Sequence, residues 1–474
     1  MPKITFGAWC ANFQDDFVTL QRNWTAFHSI SLFYYGIGET GTIWGASRCR
    51  EHLGMIDWAH RHGIQVYATI GGTPPILPGA MEGAKGDKCI ADLVRACETS
   101  GFDGVDIDFE GINNKGRATY TDFITRLNAA LKKMKPPRLV RCTVQDFPNA
   151  EEEASMAFDY AALSKVADFV CVMHYDYSTD KPGPINQREW FGETVAYARS
   201  RIPAAKYIAA LPWYGRDWIK EGEEYEHVDP MDRELEVLTG TAGFKEIIAK
   251  YGVKPRWDDE NGEFTFTYTR DGKLHEVWMP EHRQFSWMVD EIKKVGASGI
   301  YVWHAAYPDL ESFKVLEKKL GTRPTPRPGK DLLFEKLASG EVSFSYTTSG
   351  NVVSLGNGSF NASSANELSF EARLPAEARF HVELEEGTGR GGDGEVFTSR
   401  ETNGAGDWYD YTFALGALQP SETRGNLKGN KKLNQRDIKS WSLRVKQGQA
   451  AGTAAIRNVR FSLVWGKESR KTPR

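Results

Sequence analysis

Eight short runs rich in β-branched and aromatic residues alternate with helix-patterned segments along the first two-thirds of the chain. That alternation leaves few folds open. The runs fall at about 4–10, 28–35, 64–71, 102–110, 138–145, 168–176, 206–213 and 298–304. Between them, "SRCREHLGMIDWAHRHG" carries Leu53, Ile56 and Ala59 at helix spacing and stops at Gly63. "TYTDFITRLNAALKKM" places Ile124, Leu127 and Leu131 on one stripe and ends in lysines, which suit the negative end of a helix dipole. "PEHRQFSWMVDEIKKVG" leads by a helix into the last run. Eight strand–helix units predict an α/β fold, a closed (β/α)8 barrel over residues 1–320. A doubly wound open sheet is the alternative.

The rhythm breaks once, between Trp218 and Glu281. "GFKEIIAKYG" reads as a helix and "GEFTFTYTRDGKLHEVWM" as a hairpin turning at Asp271-Gly272. This is a small α+β insertion at about 219–281, after the seventh strand. Loops that follow barrel strands lie on the face where barrel enzymes do chemistry, so the insertion is expected to wall a cleft. "GTRPTPRPGK" then opens a Pro-rich linker, 321–332. Beyond it the texture changes. "ELSFEARL", "ARFHVELEE", "DWYDYTFAL", "SWSLRVKQ" and "AAIRNVRFSLVW" read as strands, predicting an antiparallel β-sandwich or jelly roll over 333–466 and a basic tail at 467–474. Trp408, Tyr409 and Tyr411 are candidate sugar-stacking residues there, a carbohydrate-binding role standing beside a spacer role.

Composition narrows the partners. The 474 residues carry a net charge of −4, so no electrostatic case exists for nucleic acid or an anionic membrane. No apolar run approaches the roughly 20 residues that span a bilayer. "MPKITFGAWC" goes straight into a strand pattern with no leader in view, which leaves compartment open between a cytoplasmic protein and a secreted one whose leader has been removed. The sequons at Asn23, Asn357 and Asn361 have meaning only in the second case. Cysteines lie at 10, 49, 89, 97, 142 and 171 without zinc-ligand spacing; Cys10, Cys142 and Cys171 read as buried thiols. No metal or cofactor is expected, and the chain is expected to act as a monomer.

The fourth run, "GFDGVDIDFEG" at 101–111, holds the chemistry. Residues two apart share a face of a strand, so Asp106, Asp108 and Glu110 point one way and Val105, Ile107 and Phe109 the other. In a barrel the apolar face goes outward under the helices, the acids face the lumen, and Glu110 stands nearest the C-terminal mouth. A solvated edge strand is disfavoured because this strand is fourth of eight. A calcium loop is disfavoured by the interleaved Val, Ile and Phe. What remains is an acid catalyst with supporting carboxylates: crowded carboxyls cannot all ionise, and a retained proton is what a leaving glycosidic oxygen needs.

"DGVDIDFE" at 103–110 resembles the Asp-Gly-x-Asp-x-Asp-x-Glu pattern of glycoside hydrolase family 18, the chitinases and related N-acetylglucosaminidases. Further matches follow in order: "ATIGG" at 68–72, with Thr69 where the family has serine; "VMHYDYS" at 172–178, carrying Met173, Tyr175 and Asp176; "LPWYGRDW" at 211–218; and "IYVWHAAYPD" at 300–309. The resemblance implies retaining, substrate-assisted hydrolysis of β-1,4-linked N-acetylglucosamine chains, chitin or chito-oligosaccharides first, through an oxazolinium ion made by the substrate's own acetamido oxygen. It implies Glu110 as proton donor, Asp108 as the residue that orients the acetamido group, and Asp106 as its inner, proton-sharing partner. Asp103 lies on the other face and reads as structural. Tyr175 and Asp176 are implied on the far side of the acetamido group, Trp303 as the aromatic floor, and Tyr214 and Arg216 as cleft residues. Trp9 is the nearest first-strand aromatic. Trp213, Trp218, Trp257 and Trp278 read equally as packing or as sugar surface. The fifth run, "VRCTVQDFP", departs from the family's apolar strand, and Gln145 and Asp146 at its end are expected to shape the site. Two alternatives stay open: an endo-β-N-acetylglucosaminidase acting on N-glycans or peptidoglycan, and a sugar-binding protein without turnover.

Overall fold

A computed structural model describes residues 4–11, 16, 19–20, 22–45, 53–221, 224–227, 241–306, 309–321, 329–336, 341–346, 351–354, 365, 367–387, 394–426, 428, 433, 438–446 and 451–465. The sequons at Asn357 and Asn361, Cys49, most of the expected linker and the basic tail lie outside these residues. The chain divides into two units, residues 1–50 with 59–325, and residues 51–58 with 326–474.

In the first unit the eight expected runs form eight parallel strands: β1 (Thr5–Cys10), β2 (Ser29–Ile37), β3 (Gln65–Gly72), β4 (Gly104–Phe109), β5 (Leu139–Gln145), β6 (Phe169–Met173), β7 (Tyr207–Pro212) and β8 (Gly299–Trp303). Each pairs with the next, and β8 pairs with β1, so the sheet closes into a barrel. Helices precede the strands as the patterns require, at Gly83–Ser100, Arg117–Lys132, Arg188–Arg201 and His282–Val295 among others. Outward apolar residues pack under them: Phe109 meets Tyr120 and Phe123 of the helix Arg117–Lys132 at ring-centroid distances of 6.5 and 5.9 Å. The lumen is filled by Trp9, Cys171, Ile208, Ala210 and Tyr301. Gly104, first in β4, leaves room for this filling; a Cβ there would lie 2.6 Å from the Tyr67 ring.

One strand end departs from expectation. The sixth run was expected to reach residue 176, and β6 stops at Met173. His174 still donates its N–H to the Ala210 carbonyl (3.0 Å), but Asp176 turns into the left-handed region at φ 68° and Tyr177 donates to Ile185 (3.1 Å). Tyr175 and Asp176 therefore sit on a loop beyond the barrel rim.

The insertion departs at Arg216, earlier than expected. Arg216–Glu221 joins a five-stranded antiparallel sheet with Glu224–His227, Arg256–Asp258, Glu263–Arg270 and Lys273–Met279. The last two form the expected hairpin, Arg270 opposite Lys273, with Asp271 and Gly272 at φ 52° and 79°. Helix Thr241–Tyr251 covers it through Phe244 and Ile247.

In the second unit two antiparallel sheets face each other. Phe370 of one meets Phe380 and Trp441 of the other at 6.5 and 5.6 Å. All five expected strands are present, and others add to them, the first, Gly329–Lys336, beginning inside the expected linker. Tyr411 is core, whereas Tyr409 is 56% exposed and Trp408 lies under Arg457 at 4.0 Å. No described helix is long and apolar enough to cross a membrane.

Candidate active site

The acidic row lies as the alternation requires, on the lumen side of β4. Thr69 and Arg141 flank Asp106 in register on β3 and β5, and Gly71 and Thr143 flank Asp108. The ladder runs one residue past the strand: Glu110 donates its N–H to Gly72 at 2.9 Å and carries its side chain to the mouth, where it is exposed.

Asp106 is fully buried and surrounded by donors. Arg141 clasps it with both arms of its fork, Nε to Oδ1 at 3.0 Å and Nη2 to Oδ2 at 2.7 Å. Thr143 Oγ1 donates to Oδ1 (2.7 Å), Thr69 Oγ1 to Oδ2 (3.0 Å), and Trp9 Nε1 to Oδ2 (2.8 Å) from across the lumen. Burial opposes the charge on Asp106, but Arg141 and these hydrogen bonds outweigh it and hold the carboxyl below its ordinary range. The Arg141 guanidinium also donates to Ser31 and stacks 3.9 Å from the Tyr301 ring centroid and 4.9 Å from that of Tyr67.

Asp108 differs. It is 5% exposed, and its Oδ1 is buried without a hydrogen-bond partner among the described residues. Burial, then the neighbouring Glu110 and Asp106 carboxyls, push it well above the carboxylate range. Glu110 is raised as well, by burial of much of the carboxyl even at the open mouth and then by Asp176. Asp103 faces away, as expected. It clasps Val66 N (2.8 Å) and His60 Nε2 (2.9 Å) at the barrel base.

Around the mouth, Tyr214 Oη and Arg216 Nη2 both donate to Asp176 Oδ1. Tyr175 packs edge-on to Tyr214 at 5.9 Å. Trp303, half-buried, ends β8 against Phe33 (5.2 Å) and Trp9 (6.0 Å). These placements gather Glu110, Asp108, Tyr175, Asp176, Tyr214, Arg216 and Trp303 at one end of the barrel. Trp9 is not among them: at 1% exposed it lies beneath Trp303 and holds Asp106, too deep to touch a substrate. Met173 lies against the lumen core, and Gln145 fixes the wall by accepting Tyr160 Oη on its carbonyl (2.7 Å). Trp213, Trp218 and Trp278 are buried as packing, and Trp257 is half-buried under Arg283 at 4.0 Å.

Sequence reasoning missed Arg141 and Thr143. The signal was there: in "VRCTVQ" Arg141, Thr143 and Gln145 alternate with Val140, Cys142 and Val144, a polar face matching the acidic one next door. It also missed His174, which is buried beside the expected Asp146. His174 joins Thr194 (2.9 Å) and Tyr207 (2.7 Å) and is held neutral by burial, at about 3, with Asp146 3.7 Å away and raised by burial. Among the described residues, Glu281, His282 and Asp309 bring possible metal-ligating atoms within 4.8 Å. Hydrogen bonds account for that trio: Glu281 accepts from Arg283 N, and Asp309 accepts from His282 N and pairs with its Nδ1.

Residues 18–307 match the family model described as Glycosyl hydrolases family 18. A glycosylase of Bacillus subtilis, YvbX, described as uncharacterized, is 27% identical over 229 residues, 48% of this chain and 64% of that protein. The cortical fragment-lytic enzyme of Bacillus anthracis is 25% identical over 239 residues, 48% of this chain and 52% of that protein. The chain thus covers less than two thirds of either relative. The crystal structure of a chitinase from Chromobacterium violaceum superposes with a TM-score of 0.58 at 23% identity, over 68% of this chain and all of that one, a likeness of fold.

Proposed function

Since the chain belongs to the glycosyl hydrolases of family 18, we propose that it cleaves β-1,4-linked N-acetylglucosamine chains with retention, chitin or chito-oligosaccharides first. The carrying observation is the acidic row: Glu110 at the barrel mouth, its carboxyl raised above the ordinary range, over a buried Asp108 raised well above it. Glu110 gives its proton to the glycosidic oxygen. The C1–oxygen bond breaks, its electron pair staying on the leaving oxygen, while the substrate's acetamido oxygen bonds to C1. Asp108 orients that acetamido group, with Tyr175 and Asp176 on its far side and Trp303 beneath the sugar. Water then opens the oxazolinium ion and returns a proton to Glu110. No second protein carboxylate has to act as nucleophile.

Similarity to the cortical fragment-lytic enzyme favours a second reading, in which the N-acetylglucosamine unit belongs to a peptidoglycan fragment. The test is a hydrolysis panel of chito-oligosaccharides, N-glycopeptide and peptidoglycan fragments, run beside Glu110→Gln. Turnover of chito-oligosaccharides by the wild type alone is expected. Preference for peptidoglycan selects the second reading. Binding without turnover, or equal rates for wild type and variant, overturns both.

A further inference from the structure

The family resemblance implies that Asp106 and Asp108 share a proton, and the contacts of Asp106 argue against that here. Both of its oxygens are already taken. Oδ1 accepts from Arg141 Nε and Thr143; Oδ2 accepts from Arg141 Nη2, Thr69 and Trp9. A carboxylate offers about four lone-pair sites, and five donors fill them. The fork of Arg141 fits the ionised form bidentately, and a proton on either oxygen would have to displace a donor.

We propose that Arg141 is a positioning residue that locks Asp106 in its charged form, so that the protons of the acidic row stay on Asp108 and Glu110 and none is shared between Asp106 and Asp108. The inference deepens the function proposed above, and its catalytic meaning rests on that reading. In the lumen Asp106 and Arg141 form a net-neutral pair. Asp108 stands one step up the strand, about 6.6 Å along, its Oδ1 buried and without a partner among the described residues, and Glu110 stands one step further. When Glu110 gives up its proton to the leaving oxygen, the proton on Asp108 screens the new negative charge. It has no empty site on Asp106 to move into.

Other titratable groups leave this arrangement in place. Tyr67 on β3, Cys171 on β6, Tyr301 on β8, and Tyr175 and Tyr214 beyond the rim are all raised by burial and stay neutral. So do Tyr120 and Cys142, which pack from the outer layer. Asp146, at the end of β5, is also raised by burial. At the mouth, Arg216 is committed to Asp176. Among the described residues, Arg141 is the cation that acts on both Asp106 and Asp108.

Carboxyl-carbon NMR of the full chain with labelled Asp and Glu side chains reads the proton positions directly, with no substrate present. It therefore decides the proposal even if the hydrolysis panel shows no turnover. Asp106→Asn, Asp108→Asn and Glu110→Gln assign the signals. In the wild type, Asp106 is expected to stay at its ionised position from about pH 4 to 8, while Asp108 and Glu110 titrate with each other's steps in their curves. Glu110→Gln is expected to lower the Asp108 midpoint, and Asp108→Asn to leave Asp106 unmoved. Arg141→Lys should keep Asp106 ionised; Arg141→Met should put a proton on it near neutral pH. An Asp106 signal that inflects with Asp108 in the wild type overturns the proposal, whether or not the Met variant folds. So does an Arg141→Met protein in which Asp106 remains ionised.

Discussion

The Glu110 carboxyl, the proton donor proposed above, is raised for two reasons, burial and the negative charge of Asp176, and each has a consequence for the proposed activity. A general acid works only while protonated, so hydrolysis is expected to fall as pH rises through the raised value. Asp176→Asn removes the second cause. The alkaline limb of kcat/KM should then move to lower pH, as read from a pH–rate profile, whatever the variant does to the maximum rate. A limb that stays in place would assign the raised value to burial alone. Glu110→Gln should cost about 10²–10⁴-fold in kcat and abolish that limb. The sequence made these residues legible because strand alternation assigns a face, and the barrel assigns that face to the lumen. It could not say what meets Asp106 there. Trp9 reaches it from 97 positions away across a closed sheet, a contact set by barrel closure. The same closure explains why Trp9, a candidate for the sugar surface, ends beneath it.

At the scale of elements, strand positions were readable to within a residue or two, because period-two patterns bounded by turns leave little freedom. The end of β6 was not. Its loop is shaped by a distant group, Glu263 of the insertion hairpin, whose Oε2 accepts Ile185 N at 2.9 Å. Asn186 then donates Nδ2 to the His174 carbonyl at 2.6 Å, next to Tyr175. Burial raises Glu263 from 4.5 to about 8, so the folded protein holds a proton that the unfolded chain releases above its ordinary value. A raised carboxyl means stability falls as pH rises from about 4.5 to 8, by at most about 1.4 kcal/mol per pH unit for this group. Glu263→Gln keeps an acceptor for Ile185 and cannot ionise. Its melting temperature should therefore decline less than the wild type's between pH 5 and 8. Asp108 and Asp146 add declines of the same sign to both proteins, so the difference between the two curves isolates Glu263. Parallel curves would mean that the hairpin does not carry this proton.

Over the whole molecule, each unit closes its own apolar core. The barrel unit buries its lumen and the shell under its helices, and the sandwich buries Phe370, Phe380, Leu443 and Trp441 between its sheets. The change of texture after the Pro-rich stretch announced this division; the extra strands of the sandwich went unread because many are short and polar, such as Thr402–Asn403 and Gln419–Gly425. Separate cores should fail separately. Phe370 packs on Phe380, Tyr411, Phe413 and Trp441, and none of these belongs to the acidic row or its rim. Phe370→Ala removes a buried ring at a cost of about 3–5 kcal/mol. Calorimetry of the full chain should then show one transition displaced to lower temperature and a second one unmoved. Below the first transition, hydrolysis of chito-oligosaccharides should proceed at the wild-type rate. If hydrolysis is lost along with the first transition, the sandwich contributes to turnover itself, and its half-buried Trp408 and exposed Tyr409 become the next residues to replace.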